Sequence, residues 1–185
     1  YSMRSSGYML TNQCTLAEDW GHRAIALAKE HGAPAIEAHA LNNVGSALVD
    51  DGQPRGFDLL GQSLAIALSN GLHEHAARAY VNASEAAVRS RFLTRVESLL
   101  GEGMGFVHDH DMDMYAPCLV NSLSQLRLMQ GRLDEAESAA QREMRRHSKG
   151  AAVIHLPLQA MLATVAMLRS RSINGLEPPD SRRLI

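Results

Sequence analysis

Histidine and acidic residues are concentrated at two places in the chain, 73–75 and 108–113. Imidazole and carboxylate groups are the ligands that divalent metals such as zinc accept in proteins. Both places are predicted to be turns between helical hairpins, so stacking of the hairpins would bring them close together. Histidine near a helix C-terminus is also favoured by the helix dipole alone, and His31 and His147 occupy similar turns. Solvated turns are therefore the favoured interpretation, and we predict no cofactor. The ligands of the alternative metal site would be His73, His75, His108 and His110.

Three asparagines that recur at one constant interval form a second candidate set, Asn43, Asn82 and Asn121. A carboxamide both donates and accepts hydrogen bonds, so a row of carboxamides can bind the backbone of a peptide whatever its sequence. The alternative is that these asparagines bond to neighbouring helices and hold adjacent hairpins in register. Counted back from the glycines at the turns, Asn121 corresponds to Asn42 and not to Asn43.

The elements that would position these residues are helices. Apolar residues recur at helical spacing along most of the chain, and glycine or proline marks the ends of the segments. The glycines repeat with a fixed period, because the interval from Gly52 to Gly131 is about twice the interval from Gly32 to Gly71. A helix–turn–helix unit with such a period predicts an all-α fold. More finely, it predicts an α-solenoid of antiparallel helix pairs, in which stacking buries the apolar face that one hairpin leaves exposed.

We predict one helical-repeat domain over residues 1–171, followed by a tail or linker over 172–185. Gly7 is expected to interrupt any helix at the start of the chain, and 108–113 is expected to be a loop. The predicted elements of the domain are a weak first helix, a helix at 14–31, hairpins at about 34–71, 73–110 and 112–149, and an unpaired helix at 151–170.

Composition excludes several classes of protein. A net charge of −2 argues against a dedicated nucleic-acid-binding module, which normally carries a basic excess. Two cysteines do not make a disulfide framework, so a reducing, cytoplasmic environment is expected. No apolar run reaches the roughly 18–20 residues that a membrane-spanning helix needs. The chain begins at Tyr1 without a methionine, so we expect it to be a piece or a processed form of a longer protein.

Several of the repeated residues resemble a known motif. Residues 40–52, ALNNVGSALVDDG, resemble the first helix of a tetratricopeptide repeat, and Leu123, Gly131, Leu133 and Ala136 follow the same pattern into a second helix. The period is about five residues longer than the usual 34 of that repeat. The resemblance implies a right-handed superhelix whose first helices line a concave surface, with an asparagine before the Leu-Gly pair facing that surface.

The whole tract also resembles the helical-repeat region of large LuxR-type bacterial transcription regulators. Those proteins join an ATP-binding module, helical repeats and a C-terminal helix-turn-helix. This chain contains neither a phosphate-binding loop of the G-x-x-x-x-G-K-[ST] kind nor a basic helix-turn-helix. The segments that carry the resemblance are 40–52, 71–83 and 130–140.

The predicted function is therefore binding and not catalysis. We expect a protein, a peptide or a small effector to bind the concave face through Asn43, Asn82 and Asn121, within a larger transcription regulator. No direct nucleic-acid contact is expected. An alternative is oligomerisation, for example as a homodimer, because the segment 153–168 is apolar on more than one face.

Overall fold

The computed structural model describes residues 1–147 and 152–173, and every regular element within them is a helix. The prediction of an all-α fold is therefore confirmed for this part of the chain. The end of the last predicted hairpin and most of the predicted tail, 174–185, lie outside it. The helices are α1 (Ser2–Leu10), α2 (Cys14–Glu30), α3 (Pro34–Asp50), α4 (Gly56–Ser69), α5 (His73–Arg89), α6 (Leu93–Asp109), α7 (Ala116–Met129), α8 (Leu133–Arg146) and α9 (Ala152–Ile173), with a short 3-10 helix at Asp113–Tyr115.

The chain forms two compact units, Tyr1–Tyr115 and Ala116–Ile185. In the first unit each helix from α1 to α6 packs against the next one along the chain. In addition, α3 packs directly against α1 and α5. Within residues 1–109, no comparable contact joins two even-numbered helices. The odd-numbered helices thus form one closely packed layer, and the even-numbered helices form a second, more widely spaced layer.

The helices α1 to α7 all end in the same way. The chain adopts a left-handed conformation two residues after the helix, and the next residue donates its N–H to the carbonyl five residues earlier at 2.8–2.9 Å. The predicted helix ends at glycine are confirmed, and three non-glycine residues extend the series at nearly constant intervals along the chain. The left-handed residues are Asn12, Gly32, Gly52, Gly71, Arg91, Asp111 and Gly131.

Two local predictions differ from the structure. The helix α1 runs without interruption through Gly7, because packing against α2 and α3 holds it in place. The buried hydroxyl of Ser5 donates to the carbonyl of Ala17 at 2.7 Å and anchors α1 on α2. The predicted loop at 108–113 is shorter than expected and covers only 110–112, since His108 and Asp109 complete the last turn of α6 and Asp113 begins the 3-10 helix.

The centre of the first unit is α3, in which every residue from 38 to 49 is buried. This burial follows from its neighbours, because α1, α2, α4 and α5 all pack against it. In the second unit α9 packs against α7 and α8 and buries Leu158, Met161 and Val165. No helix within the described ranges is both long and apolar enough to cross a membrane.

Candidate functional site

The first two predicted asparagines lie between odd-numbered helices. Asn43 on α3 is only 2% exposed, and its Nδ2 donates to the backbone carbonyl of Ser2 on α1 at 3.2 Å. Asn82 on α5 is half-buried, and its Nδ2 donates to Oδ1 of Asn42 on α3 at 2.5 Å. Each asparagine therefore bonds back to the preceding odd-numbered helix. This is the geometry that would hold adjacent hairpins in register.

The third predicted asparagine, Asn121, belongs to the second unit and has a different position in its repeat. It lies ten residues before the left-handed Gly131, whereas Asn43 and Asn82 lie nine residues before the left-handed residues of their own turns. Asn121 thus corresponds to Asn42. Its Oδ1 is buried and has no hydrogen-bond partner.

The helices α3 and α5 meet through three pairs of polar side chains. The paired residues lie on one side of each helix, because residues three, seven or eight positions apart point in similar directions. From one end to the other the pairs are His39–His75, with ring centroids 6.0 Å apart, Asn42–Asn82, and Asp50–Arg89, with Oδ1 2.6 Å from Nη2. We call the polar side chains along this contact the inner polar face: His39, Asn42, Ser46 and Asp50 of α3, and His75, Arg78, Asn82, Glu85 and Arg89 of α5.

On α3, the inner polar face contains two buried polar atoms that have no partner. They are Nδ2 of Asn42 and Oγ of Ser46, whose residues are 1% and 5% exposed. Asn42 and Ser46 are four residues apart and so lie on the same side of the helix. A buried polar group without a hydrogen bond destabilises the folded state by about 1–3 kcal/mol. Both atoms are buried, so a polar ligand or water would reach them only after neighbouring side chains had moved aside.

The α5 side of the inner polar face is more accessible. The side chains of Arg78, Glu85 and Arg89 are between one-third and one-half exposed. Arg78 pairs with Glu74 at 2.9 Å, and Arg89 approaches Glu85 at 3.7 Å. Exposed pairs of this kind exchange partners at little cost, since each contributes less than about 1 kcal/mol. The face therefore combines a buried polar edge on α3 with an open charged edge on α5.

Burial and neighbouring charges shift three pKa values on this face. Burial lowers the pKa of His39, and the cationic Arg78 and the neighbouring His75 lower it further against an opposing effect of Glu74. The pKa of His75 is lowered for the same first two reasons, burial and Arg78. Burial also raises the pKa of Glu85, against the opposing effect of Arg89. The two histidines are thus neutral near pH 7 and can each donate one hydrogen bond.

The histidines of the alternative metal site do not form one cluster. The rings of His73 and His110 have centroids 4.1 Å apart, but His75 pairs with His39 and His108 is exposed on the last turn of α6. The ring of Phe106 stacks on His110 at 4.2 Å. Within the described ranges, no three His, Cys, Asp or Glu side chains are grouped so as to hold a metal ion. The close pair is therefore an aromatic contact between α5 and α6.

The sequence analysis missed the pairing of Asp50 with Arg89. These two residues carry opposite charges, and the interval between them is the same as that between Asn43 and Asn82. A search for complementary residues at the repeat period would have found the pair. His39 and His75 are closer together in the chain than the repeat period, so that contact has no such signal.

Comparison with known proteins adds no family to these observations: no protein-family model matches the chain, and no curated protein matches it.

Proposed function

We propose that this chain is a non-enzymatic helical-repeat segment that binds a peptide or a small effector on the inner polar face. In this proposal α1 to α6 form three stacked hairpins of a tetratricopeptide-like solenoid, and the odd-numbered helices line its concave side. The contact of α3 with both α1 and α5 supports that arrangement. So does the recurrence of left-handed turns at nearly constant intervals.

One observation carries the proposal. The inner polar face places two unpartnered buried groups, on Asn42 and Ser46, beside half-exposed charges on Arg78, Glu85 and Arg89. Donors and acceptors fixed on rigid helices, with charges at their edge, suit the backbone of an extended peptide or a polar effector. The asparagines then serve both roles that the sequence allows, since Asn82 donates to Oδ1 of Asn42 and leaves both N–H donors of the Asn42 amide without a partner.

A peptide-display selection against the purified chain tests this function. Selected peptides should bind at least tenfold more weakly to the Arg78→Glu variant, which reverses a charge at the centre of the face. The matched control is Arg95→Glu, an equal charge reversal on the even-numbered helix α6. Equal binding to both variants, or a selection that enriches no peptide, would reject the inner polar face as the binding surface.

By resemblance, we also propose that the segment belongs to a cytoplasmic transcription regulator of the large LuxR type. It would relay binding on its inner face to ATP-binding and DNA-binding modules elsewhere in the protein. The sequence of the full-length gene product decides this point. A phosphate-binding loop upstream and a helix-turn-helix downstream are expected, and a product with neither would eliminate the relation.

A second candidate function is oligomerisation through α9. Its exposed residues at spacings of four, three and four include Leu156 and Met167, which are 61% and 48% exposed. An apolar stripe on a helix is a common contact between subunits. The complete stripe is Leu156, Ala160, Ala163 and Met167. Sedimentation should show a dimer that Leu156→Glu dissociates, whereas a monomer at all concentrations would exclude this function.

A further inference from the structure

The inner polar face ends in a cavity of about 460 Å³ beside the C-terminal ends of α3 and α5. One side is charged and is formed by Asp50 and Arg89, the last pair of the face. A second cavity, of about 520 Å³, is lined by the same two residues together with Cys14 and Asp51. Volumes of this size are typical of sites for small ligands.

The opposite side of the smaller cavity is apolar. Phe57 and Phe92 meet edge to face, with ring centroids 5.4 Å apart, and Val49 and Pro54 complete the wall. Phe92 is 50% exposed, which is unusual for a residue of this size and leaves the ring open to a ligand. The cavity thus presents an aromatic surface and an ion pair to the same space.

Negative charge predominates at the charged side. Arg89 lies beside two carboxylates, since Asp50 is 2.6 Å away and Glu85 is 3.7 Å away, and Asp51 lines the neighbouring cavity. The carbonyl ends of α3 and α5 add partial negative charge, and the N-terminal ends of α4 and α6 beside the same cavity offset it, so the excess of carboxylates over Arg89 decides the sign of the local charge. This part of the surface therefore favours a positively charged ligand.

The thiol of Cys14 lies in the neighbouring cavity, which Asp51 also lines. Its pKa is raised, first by burial and then by the charges of Asp51 and Glu18, against an opposing effect of Arg55. Asp51 and Glu18 thus outweigh Arg55 in their effect on the pKa of this thiol.

We propose that the smaller cavity binds an organic cation with an aromatic body, whose ammonium or guanidinium group pairs with Asp50 while its ring packs against the exposed side of Phe92 and Phe57. The aromatic rings can interact with such a ligand in two ways. They make apolar contacts with its ring, and their faces attract its cationic group. The inference rests on the proposed function, because it names the chemistry that one end of the inner polar face accepts. The ligand is either a free aromatic amine or neighbouring basic and aromatic side chains of a peptide.

Amide NMR titrations with matched small molecules test the proposal. 2-Phenylethylamine should bind and shift the amide signals of Gly52 and Ser90, whereas 3-phenylpropionate, with the opposite charge, should bind at least tenfold more weakly. Asp50→Asn should weaken amine binding by at least tenfold and Phe92→Ala by at least threefold. Asp58→Asn, which removes an exposed carboxylate from α4 outside the cavity, should leave it unchanged. Equal binding of the amine and the acid, or binding that neither cavity variant weakens, would overturn the proposal.

The same titration with the blocked peptide acetyl-Gly-Arg-Phe-Gly-amide identifies the source of the cation. Tighter binding of the peptide than of the amine assigns the site to a peptide, and tighter binding of the amine assigns it to a free effector. Failure of both ligands to bind refutes the cavity site. Arg78 does not line the cavity, so the Arg78→Glu test reports on the proposed function independently.

Discussion

The two contacts that α3 makes with α4 and with α5 are built in opposite ways. Toward α4 the backbones approach closely at two glycines, so that a Cβ atom on Gly45 would lie 2.8 Å from the carbonyl oxygen of Gly56. Toward α5 polar side chains meet in pairs beside the buried apolar residues Val49, Ala83 and Ala86, and Asn42 retains an unpartnered amide. The α3–α4 contact has no space for a larger side chain, whereas polar side chains at the α3–α5 contact can change hydrogen-bond partners.

This difference separates stability from binding in the first unit. Close packing contributes dispersion and apolar burial, and it tolerates no added volume. Polar pairs contribute little net free energy each, but they fix orientation and can exchange one partner for another. We therefore expect substitutions at the α3–α4 contact to act mainly on folding and substitutions at the α3–α5 contact to act mainly on ligand binding.

The largest expected effect is that of Gly56→Ala. A Cβ atom at this position would collide with the carbonyl oxygen of Gly45, which belongs to the backbone and cannot move aside. The free energy of unfolding should fall by about 2–3 kcal/mol, measured by urea denaturation.

Gly61→Ala is the matched control on the same helix. Nothing lies within 4 Å of a Cβ atom there, and Gly61 is exposed. The free energy of unfolding should rise by about 0.5–1 kcal/mol, because alanine restricts the unfolded chain and favours helix. If the free energy of unfolding rises for both substitutions, α3 and α4 lie farther apart at Gly45 and Gly56 than the structure shows.

The next effect concerns the amide pair between α3 and α5. The double-mutant cycle of Asn42→Ala and Asn82→Ala should give a coupling free energy of about 0.5–1.5 kcal/mol, because each substitution alone removes the same hydrogen bond. Asn43→Ala combined with Asn82→Ala should be additive, since Asn43 bonds to Ser2 instead. Strict additivity in the first cycle would mean that the Asn42–Asn82 bond does not link the helices in solution.

A smaller effect should appear as a dependence of stability on pH. The pKa values of His39 and His75 are lowered in the folded state, first by burial and then by Arg78, while Glu74 acts in the opposite direction. The unfolded chain therefore binds protons more readily than the folded chain below about pH 6.5, the ordinary histidine value. The stability that the neutral forms of His39 and His75 contribute is fully present above about pH 6.5. It is lost as the pH falls from that value through their lowered pKa values.

The measurement compares urea denaturation of the parent chain at pH 7.5 and pH 5.0 with that of the double variant His39→Gln and His75→Gln. The double variant should lose less stability between the two values than the parent chain does. His22→Gln, on the exposed surface of α2, is the control and should leave the pH dependence as it is. Equal losses in the parent chain and the double variant would contradict the assignment.

The sequence predicted the helices well because their signals are local. Apolar spacing and left-handed glycines act within one turn, so Gly32, Gly52, Gly71 and Gly131 marked helix ends correctly. Arg91 occupies the same conformation with φ of 58°, and no residue preference could reveal it.

The inner polar face was only half predicted, because pairing between helices depends on their relative rotation. Asn43 and Asn82 were singled out by their spacing, yet the first bonds to a backbone carbonyl and the second to a side chain. The glycine contact of Gly45 with Gly56 was likewise hidden, since a close approach between two helices has no signature in either helix alone.

The smallest expected effect on stability is that of Arg89→Gln, which removes the last charged pair between α3 and α5. The side chains of Arg89 and Asp50 are 51% and 30% exposed, so solvent screens their attraction. The free energy of unfolding should change by less than about 0.5 kcal/mol, and 0.5 M salt should remove most of the difference. If Arg89→Gln lowers the free energy of unfolding as much as Gly56→Ala does, the ion pair stabilises the fold. The α3–α5 contact would then contribute to folding as the α3–α4 contact does. A small loss of stability together with altered binding of 2-phenylethylamine would show that Arg89 acts mainly on ligand binding.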